Sequence, residues 1–149
     1  MVKKKKIQIG PLNELMTYHL RRAQVSAFGN FADKMQETQI TPGQFGVMAL
    51  IDSNEGISQS AVARALGVER STMVAIIDGL EKRELVLRQP SPTDRRSNAL
   101  VLSDKGLHVY NRCVELANHS DQLTTNALSK AETIQLMTLL RKMNSAAGL

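Results

Sequence analysis

Between Ser58 and Ser103 the chain carries two short helical patterns around a glycine, then two short apolar runs around an arginine-bearing polar loop. Few folds accommodate that order. Ser58 is a suitable N-cap, because its hydroxyl can accept a hydrogen bond from an unpaired amide of the first helical turn. Val62, Ala65 and Leu66 follow at helical spacing and give an apolar face. Gly67 then offers a natural stop, since glycine tolerates the positive φ at a helix end. Val68 can plug the corner. A second helix is expected to start near Glu69, whose charge suits the positive end of a helix dipole. Its buried stripe is Met73, Ile76, Ile77 and Leu80, which leaves Arg70, Ser71, Thr72, Val74, Ala75 and Asp78 facing outward or sideways. Small and polar groups near a helix start are what a recognition helix needs to approach base edges. Taken alone, the pair fits an ordinary helical hairpin of an all-α domain as well, because helix-turn-helix patterns recur by chance.

The second half of the segment favours DNA. Leu85-Val86-Leu87-Arg88 and Ala99-Leu100-Val101-Leu102 have strand character. Pro90, Pro92 and Asp94 between them favour turns and oppose a continuing helix. The tip carries Arg95 and Arg96, with Arg88 nearby. Guanidinium groups on a slender loop can enter a minor groove or clamp phosphates. Asp94 is expected to hold another arginine, such as Arg64, rather than touch DNA. The alternative is a solvated charged loop, but its place after the helix pair favours a wing. Ser58 and Gln59, at the start of the first helix of the pair, join the candidate contacts.

With these residues in view, the chain resembles the multiple antibiotic resistance regulator (MarR) family of bacterial transcription factors. The matching stretches are TPGQFGVMAL from Thr41, SQSAVARALG from Ser58, ERSTMVAIIDGLEKRE from Glu69 and PTDRRSNALVLS from Pro92, followed by Lys105-Gly106. The resemblance runs from about Leu12 to about Met143, and the Asp-Arg-Arg wing element is its most specific part. It implies a mainly α fold with a small β-hairpin wing: a winged helix-turn-helix whose terminal helices form a dimerisation domain.

Composition agrees with that class. A chain of 149 residues suits one domain with a modest core. The formal charge of +5 favours a polyanionic partner, although Lys3 to Lys6 supply four of the positive charges in a tail expected to be disordered. No run approaches roughly 18 apolar residues, so no membrane span is expected. No apolar stretch follows the N-terminal lysines, so a secretory signal is not expected either. A single cysteine cannot form an intrachain disulfide and fits a reducing cytoplasm. Aromatic residues make up 3% with no tryptophan, which argues against single-strand binding by base stacking.

The flanks complete the expected domain plan: a basic tail over 1–10, dimerisation helices in 11–40 and 104–149, and a DNA-binding lobe over 41–103. A long helix is predicted from about Leu12 to Gln36, with Leu12, Met16, Leu20, Ala23, Ala27, Phe31 and Met35 at three- and four-residue steps. A second is predicted from Lys105 to about Asn126, with Leu107, Tyr110, Val114 and Ala117 on one side. Ser129 and Glu132 form a capping-box pattern ahead of a last helix carrying Ile134, Met137, Leu140 and Met143. The ends can pack on each other within one subunit. The resemblance implies instead that they interlock between two subunits, which suits a pseudo-palindromic operator with half-sites about one helical turn apart.

The resemblance carries further expectations. Each recognition helix enters a major groove of double-stranded DNA and each wing an adjacent minor groove. Arg70, Ser71 and Thr72 then combine phosphate and base-edge contacts, and Arg95 is the wing residue that matters most for affinity. Val74 and Ala75 depart from the more polar residues common in the family; they can contact thymine methyls but cannot form bidentate hydrogen bonds. Family members typically repress a nearby operon and release it when a small molecule binds. The candidate effector pocket uses Met16, His19 and Arg22 with Phe45 and Met48. His19 and Arg22 beside flexible methionines suit an anionic, partly apolar molecule. The alternative makes His19 and Arg22 surface or interface residues and the methionines core. The Arg21-Arg22 pair resembles a subgroup that senses aromatic acids or their coenzyme A thioesters, whose phosphates suit Arg21, Arg22 or the lysine tail. No cofactor other than such an effector is expected.

Other chemistries find less support. Some family members sense oxidants through a cysteine near the first helix, whereas Cys113 lies after the wing, where an inert buried thiol is expected. His19, His108 and His119 are too scattered for a metal site. A Cys113 nucleophile paired with His108 or His119 is the remaining route to an enzyme, and no phosphate loop, G-x-S-x-G or H-E-x-x-H element accompanies it. A ligand-blind DNA binder and an activator stay open as alternatives, because regulatory sign depends on where the site lies.

Overall fold

Residues that satisfy orphan backbone groups set where the helices Pro42–Ser53, Gln59–Leu66, Asp104–Thr124 and Lys130–Ala146 begin. A computed structural model describes residues 7–90 and 98–146. Six α-helices and one hairpin follow in the order α1 (Met16–Met35), α2 (Pro42–Ser53), α3 (Gln59–Leu66), α4 (Arg70–Lys82), β1 (Val86–Pro90), β2 (Asn98–Leu102), α5 (Asp104–Thr124) and α6 (Lys130–Ala146). Thr41 opens α2 with a reciprocal capping box: its hydroxyl accepts from the Gln44 amide at 3.2 Å, and the Gln44 side chain accepts from the Thr41 amide at 3.0 Å. Ser58 caps α3 by accepting from the Ala61 amide at 3.3 Å, and Gly67 closes it at φ 62°. Ser103 caps α5 through the Gly106 amide at 2.9 Å. The predicted Ser129–Glu132 box is present, with the Glu132 carboxylate 2.7 Å from the Ser129 amide.

The long first helix is shorter than its periodicity predicts. Gly10–Glu14 form a separate 3₁₀ turn, and Leu15 is extended at φ −91°, ψ 115°. Gly10, at φ 52°, adopts a conformation that no interior helical residue takes. Apolar spacing registers which face is greasy and is blind to such a break.

The core lies where α1, α2, the helix pair and the hairpin meet. Met35, Val47, Met48, Ile51, Val62, Met73, Ile77, Leu80, Leu85, Val86 and Leu100 are all buried, with Cys113 and Leu116 of α5 closing one side. The predicted α4 stripe is therefore correct, with Ile76 only partly buried. In α5 the inward face is Val109, Tyr110, Cys113, Leu116 and Ala117, whereas Leu107 is exposed. β1 and β2 pair antiparallel from Val86 opposite Leu102 to Pro90 opposite Asn98. The segment before α3 adds a third edge: Ser58 bridges Ala99, and the Leu100 amide donates to the Ile57 carbonyl at 2.9 Å. The sequence gives no sign of this bridge.

α1 packs along α5, where Asn30 donates to Thr124 Oγ1 at 3.2 Å. The rings of Phe31, Phe45 and Tyr110 pack in sequence, the first pair tilted with centroids 5.6 Å apart and the second stacked at 6.0 Å. Among the described residues α6 has no comparable partner. Ile134, Leu136, Met137, Leu139 and Met143 on it are exposed, as are Leu12, Leu15, Met16, Val25 and Phe28 at the other end of the chain. Exposed apolar residues gathered on a helix in this way mark an interaction face. Among the described residues no helix is long and apolar enough to cross a membrane.

Candidate nucleic-acid interface

The helix pair and the hairpin converge on one open surface. Burial of Met73, Ile77 and Leu80 fixes the rotation of α4 about its axis. Its opposite side is then forced outward, and Arg70, Ser71, Thr72, Val74 and Ala75 are all exposed. Beside this face lies a cleft of about 190 Å³ lined by Ser58, Gln59, Ser60, Arg70, Arg88 and Asn98, with Met73 and Leu100 beneath. The structure thus brings together Ser58, Gln59, Arg70 and Arg88 from three separate elements. Ser60 and Asn98 were missed from sequence. Ser60 sits in the first turn of α3, and Asn98 lines the cleft because it pairs with Pro90 across the hairpin. The wing-tip residues Arg95 and Arg96, and the suggested Asp94–Arg64 contact, fall in 91–97, outside the described residues.

Arg88 is not a free guanidinium. It donates to Asp78 at 2.6 Å and to Gln59 at 3.2 Å, and forms a second ion pair with Glu81. Its side chain is 23% exposed. The sequence placed Arg88 near the arginine tip but could not show that two α4 carboxylates, one turn apart, lie directly over β1. The guanidinium therefore fastens the wing's first strand to α4, and it offsets one of the two negative charges of Asp78 and Glu81 beside the exposed α4 face.

The predicted effector residues do not converge within one subunit. Met48 is fully buried in the core, so nothing can reach it without repacking. Phe45 is committed to the aromatic cluster with Phe31 and Tyr110. Phe31 lies twelve residues along α1 from His19, roughly 18 Å at the helical rise. Met16, Arg21 and Arg22 are exposed near the start of α1. His19 Nε2 lies 2.7 Å from the Asn13 carbonyl, and Arg21 donates to Gln24 at 2.8 Å.

Cys113 is buried, as the sequence suggested, and its Sγ donates to Thr38 Oγ1 at 3.4 Å. Burial pushes the thiol pKa up and outweighs the opposing effects of the Thr38 hydrogen bond and the Arg83 charge. Native protein at pH 7.5 should therefore leave Cys113 unmodified by a thiol-exchange reagent over minutes, and react once denatured. Rapid native labelling would show that α5 opens away from the core.

The sequence profile of the MarR family matches residues 40–97. A Thauera aromatica protein assigned as a transcriptional regulator of the hcr operon is 39% identical over 127 residues, which span 85% of this chain and 76% of that protein. The solved repressor CouR bound to a 23-mer DNA duplex superposes with a TM-score of 0.86 at 38% identity, covering 93% of this chain and 99% of that one. CouR bound to p-coumaroyl-CoA gives a TM-score of 0.80 at 36% identity, covering 93% and 97%. The profile match falls on the lobe with the exposed α4 face, and the structural match extends over the flanking helices. The chain belongs to the MarR family of DNA-binding transcriptional regulators.

Proposed function

We propose that the protein is a homodimeric repressor of a catabolic or efflux operon. In this reading it binds a pseudo-palindromic operator and releases it when a small aromatic acid, or its coenzyme A thioester, binds. The observation that carries the reading is the outward face of α4, small and polar from Arg70 to Ala75 and set beside the Ser58–Gln59–Arg88 cleft. Ser58, Gln59, Arg70, Ser71, Thr72, Val74 and Ala75 meet the duplex directly. Arg95 and Arg96 supply the wing contacts expected from sequence. Lobe 41–103 reads DNA while 11–40 and 104–149 hold the dimer, and the uncovered apolar faces of α1 and α6 support that division. The protein acts in the cytoplasm and is not an enzyme.

The effector class rests on two supports. CouR, similar over nearly the whole chain, has been solved with p-coumaroyl-CoA. Met16, His19, Arg21 and Arg22 form an exposed, basic and partly apolar stretch that suits an anionic aromatic ligand. An effector releases DNA only if it binds the DNA-incompetent arrangement more tightly.

A gel-shift titration at near-physiological salt tests the reading, using the DNA upstream of the gene against scrambled duplex. A preference of at least ~10³-fold for the upstream DNA is expected, with release by p-coumaroyl-CoA or by one of a panel of aromatic acids. Equal affinity for both duplexes would refute a specific regulator. Specific binding that no panel member relieves would overturn the effector class alone.

A further inference from the structure

The short turn between α1 and α2 is gripped from three sides. Gln36–Thr38 form a 3₁₀ turn, and Gln39 is left-handed at φ 55°. Helix α1 runs directly into it, and Thr38 Oγ1 donates back to the Met35 carbonyl at 3.0 Å. From α5, Arg112 holds the Glu37 carboxylate with two bonds of 2.7 and 3.0 Å. From the far end of α4, Arg83 donates to the Gln39 carbonyl at 2.7 Å and to the Thr38 carbonyl at 2.9 Å. These two carbonyls lie past the end of α1, where backbone acceptors lack intrahelical donors and a cation is favoured.

Apart from this, α4 packs mainly on α2, α3 and β1. Among the described residues, its side-chain hydrogen bonds to the turn that follows α1 come from Arg83, at its C-cap. The base-facing residues are at the opposite end. Arg70 and Arg83 are thirteen residues apart, roughly 20 Å of helix. A tilt of about 10° at the Arg83 end would displace Arg70 by about 3 Å, close to one base-pair step.

We propose that Arg83 is a positioning residue for operator reading: its paired bonds to Thr38 and Gln39 set the angle at which α4 leaves the dimerisation layer, and so the distance between the two recognition helices. A guanidinium suits this role because its planar fork fixes two acceptors in one orientation, whereas an ammonium holds one point. The inference rests on the dimeric reading above, and the test separates the two.

A duplex enriched from a randomised pool by the wild-type protein would be remade with its centre shortened or lengthened by one base pair. Wild type, Arg83→Met and Arg83→Lys would be titrated on all three, with sedimentation and thermal melting alongside. Wild type should prefer the enriched spacing by at least about 30-fold, as expected for a mismatch in register. Arg83→Met should remain dimeric, melt within a few degrees of wild type and discriminate by less than about threefold, with Arg83→Lys intermediate. Arg83→Met that keeps wild-type discrimination overturns the proposal while leaving the dimer intact. So does affinity lost equally on all three spacings, which is the signature of a merely structural residue. A wild-type protein that sediments as a monomer overturns the dimeric reading and this inference with it.

Discussion

Replacing Gly106 by alanine should lower the melting temperature by roughly 10 °C, corresponding to about 3 kcal/mol in a chain of this size. Gly106 is buried in the first turn of α5, and a methyl group there would lie 1.9 Å from the Leu85 carbonyl oxygen and 2.8 Å from its carbon. Both neighbours are backbone, so no side chain can swing aside. The backbone at Leu85 is itself fastened: its carbonyl accepts from the Ser103 amide at 3.1 Å, and its amide donates to the Leu80 carbonyl at 3.0 Å. Relief therefore requires moving the end of α4, the start of β1 and the start of α5 together. The melt should be followed by circular dichroism at fixed protein concentration, because association contributes to apparent stability. A variant melting within about 2 °C of wild type would show that this junction yields freely, and the tight contact of the Leu85 backbone with α5 would have to be abandoned.

Arg88→Ala should weaken operator binding about 10- to 100-fold, roughly 1.4–2.7 kcal/mol, without abolishing folding. The loss arises less from a missing positive contact than from Asp78 and Glu81, left uncompensated beside phosphates. Those carboxylates are 45% and 39% exposed, so solvent screens them and the effect stays below that of breaking a fully buried pair. The diagnostic variant is the triple substitution Arg88→Ala, Asp78→Asn, Glu81→Gln, which should recover affinity to within about threefold of wild type. A triple variant as weak as Arg88→Ala alone would mean that Arg88 itself grips the DNA.

How far the molecule can be read from its sequence depends on the range of each interaction. The helix pair was legible because its signals are local: the Ser58 hydroxyl acts three residues away, and Gly67 supplies its own positive φ. The stripe Met73, Ile77 and Leu80 announces its facing by periodicity alone. The pairing of the segment before α3 was not legible, since Ile57 and Ser58 join the hairpin only through residues some forty positions later. Arg88 shows the same limit. Its type suggested DNA, while its actual partners depend on how β1 crosses α4. The grouping of the effector residues within one subunit was not legible for a related reason: helical spacing places His19 and Arg22 on one side of α1 but says nothing of how far that turn lies from Phe45. Arg83, flanked by charged neighbours in Glu81-Lys82-Arg83-Glu84, carries no local mark of its two distant carbonyl acceptors.

The uncovered apolar faces of α1 and α6 bear on the genetics of this regulator. Exchanging subunits would require wetting those surfaces, so a pair once made tends to stay together and partners are chosen near the time of synthesis. A subunit with a ruined α4 retains the same faces and still claims a healthy partner. Damage confined to the reading head is therefore inherited by both halves of a mixed pair, and such alleles should behave as dominant, whereas alleles that spoil the apolar faces should be recessive.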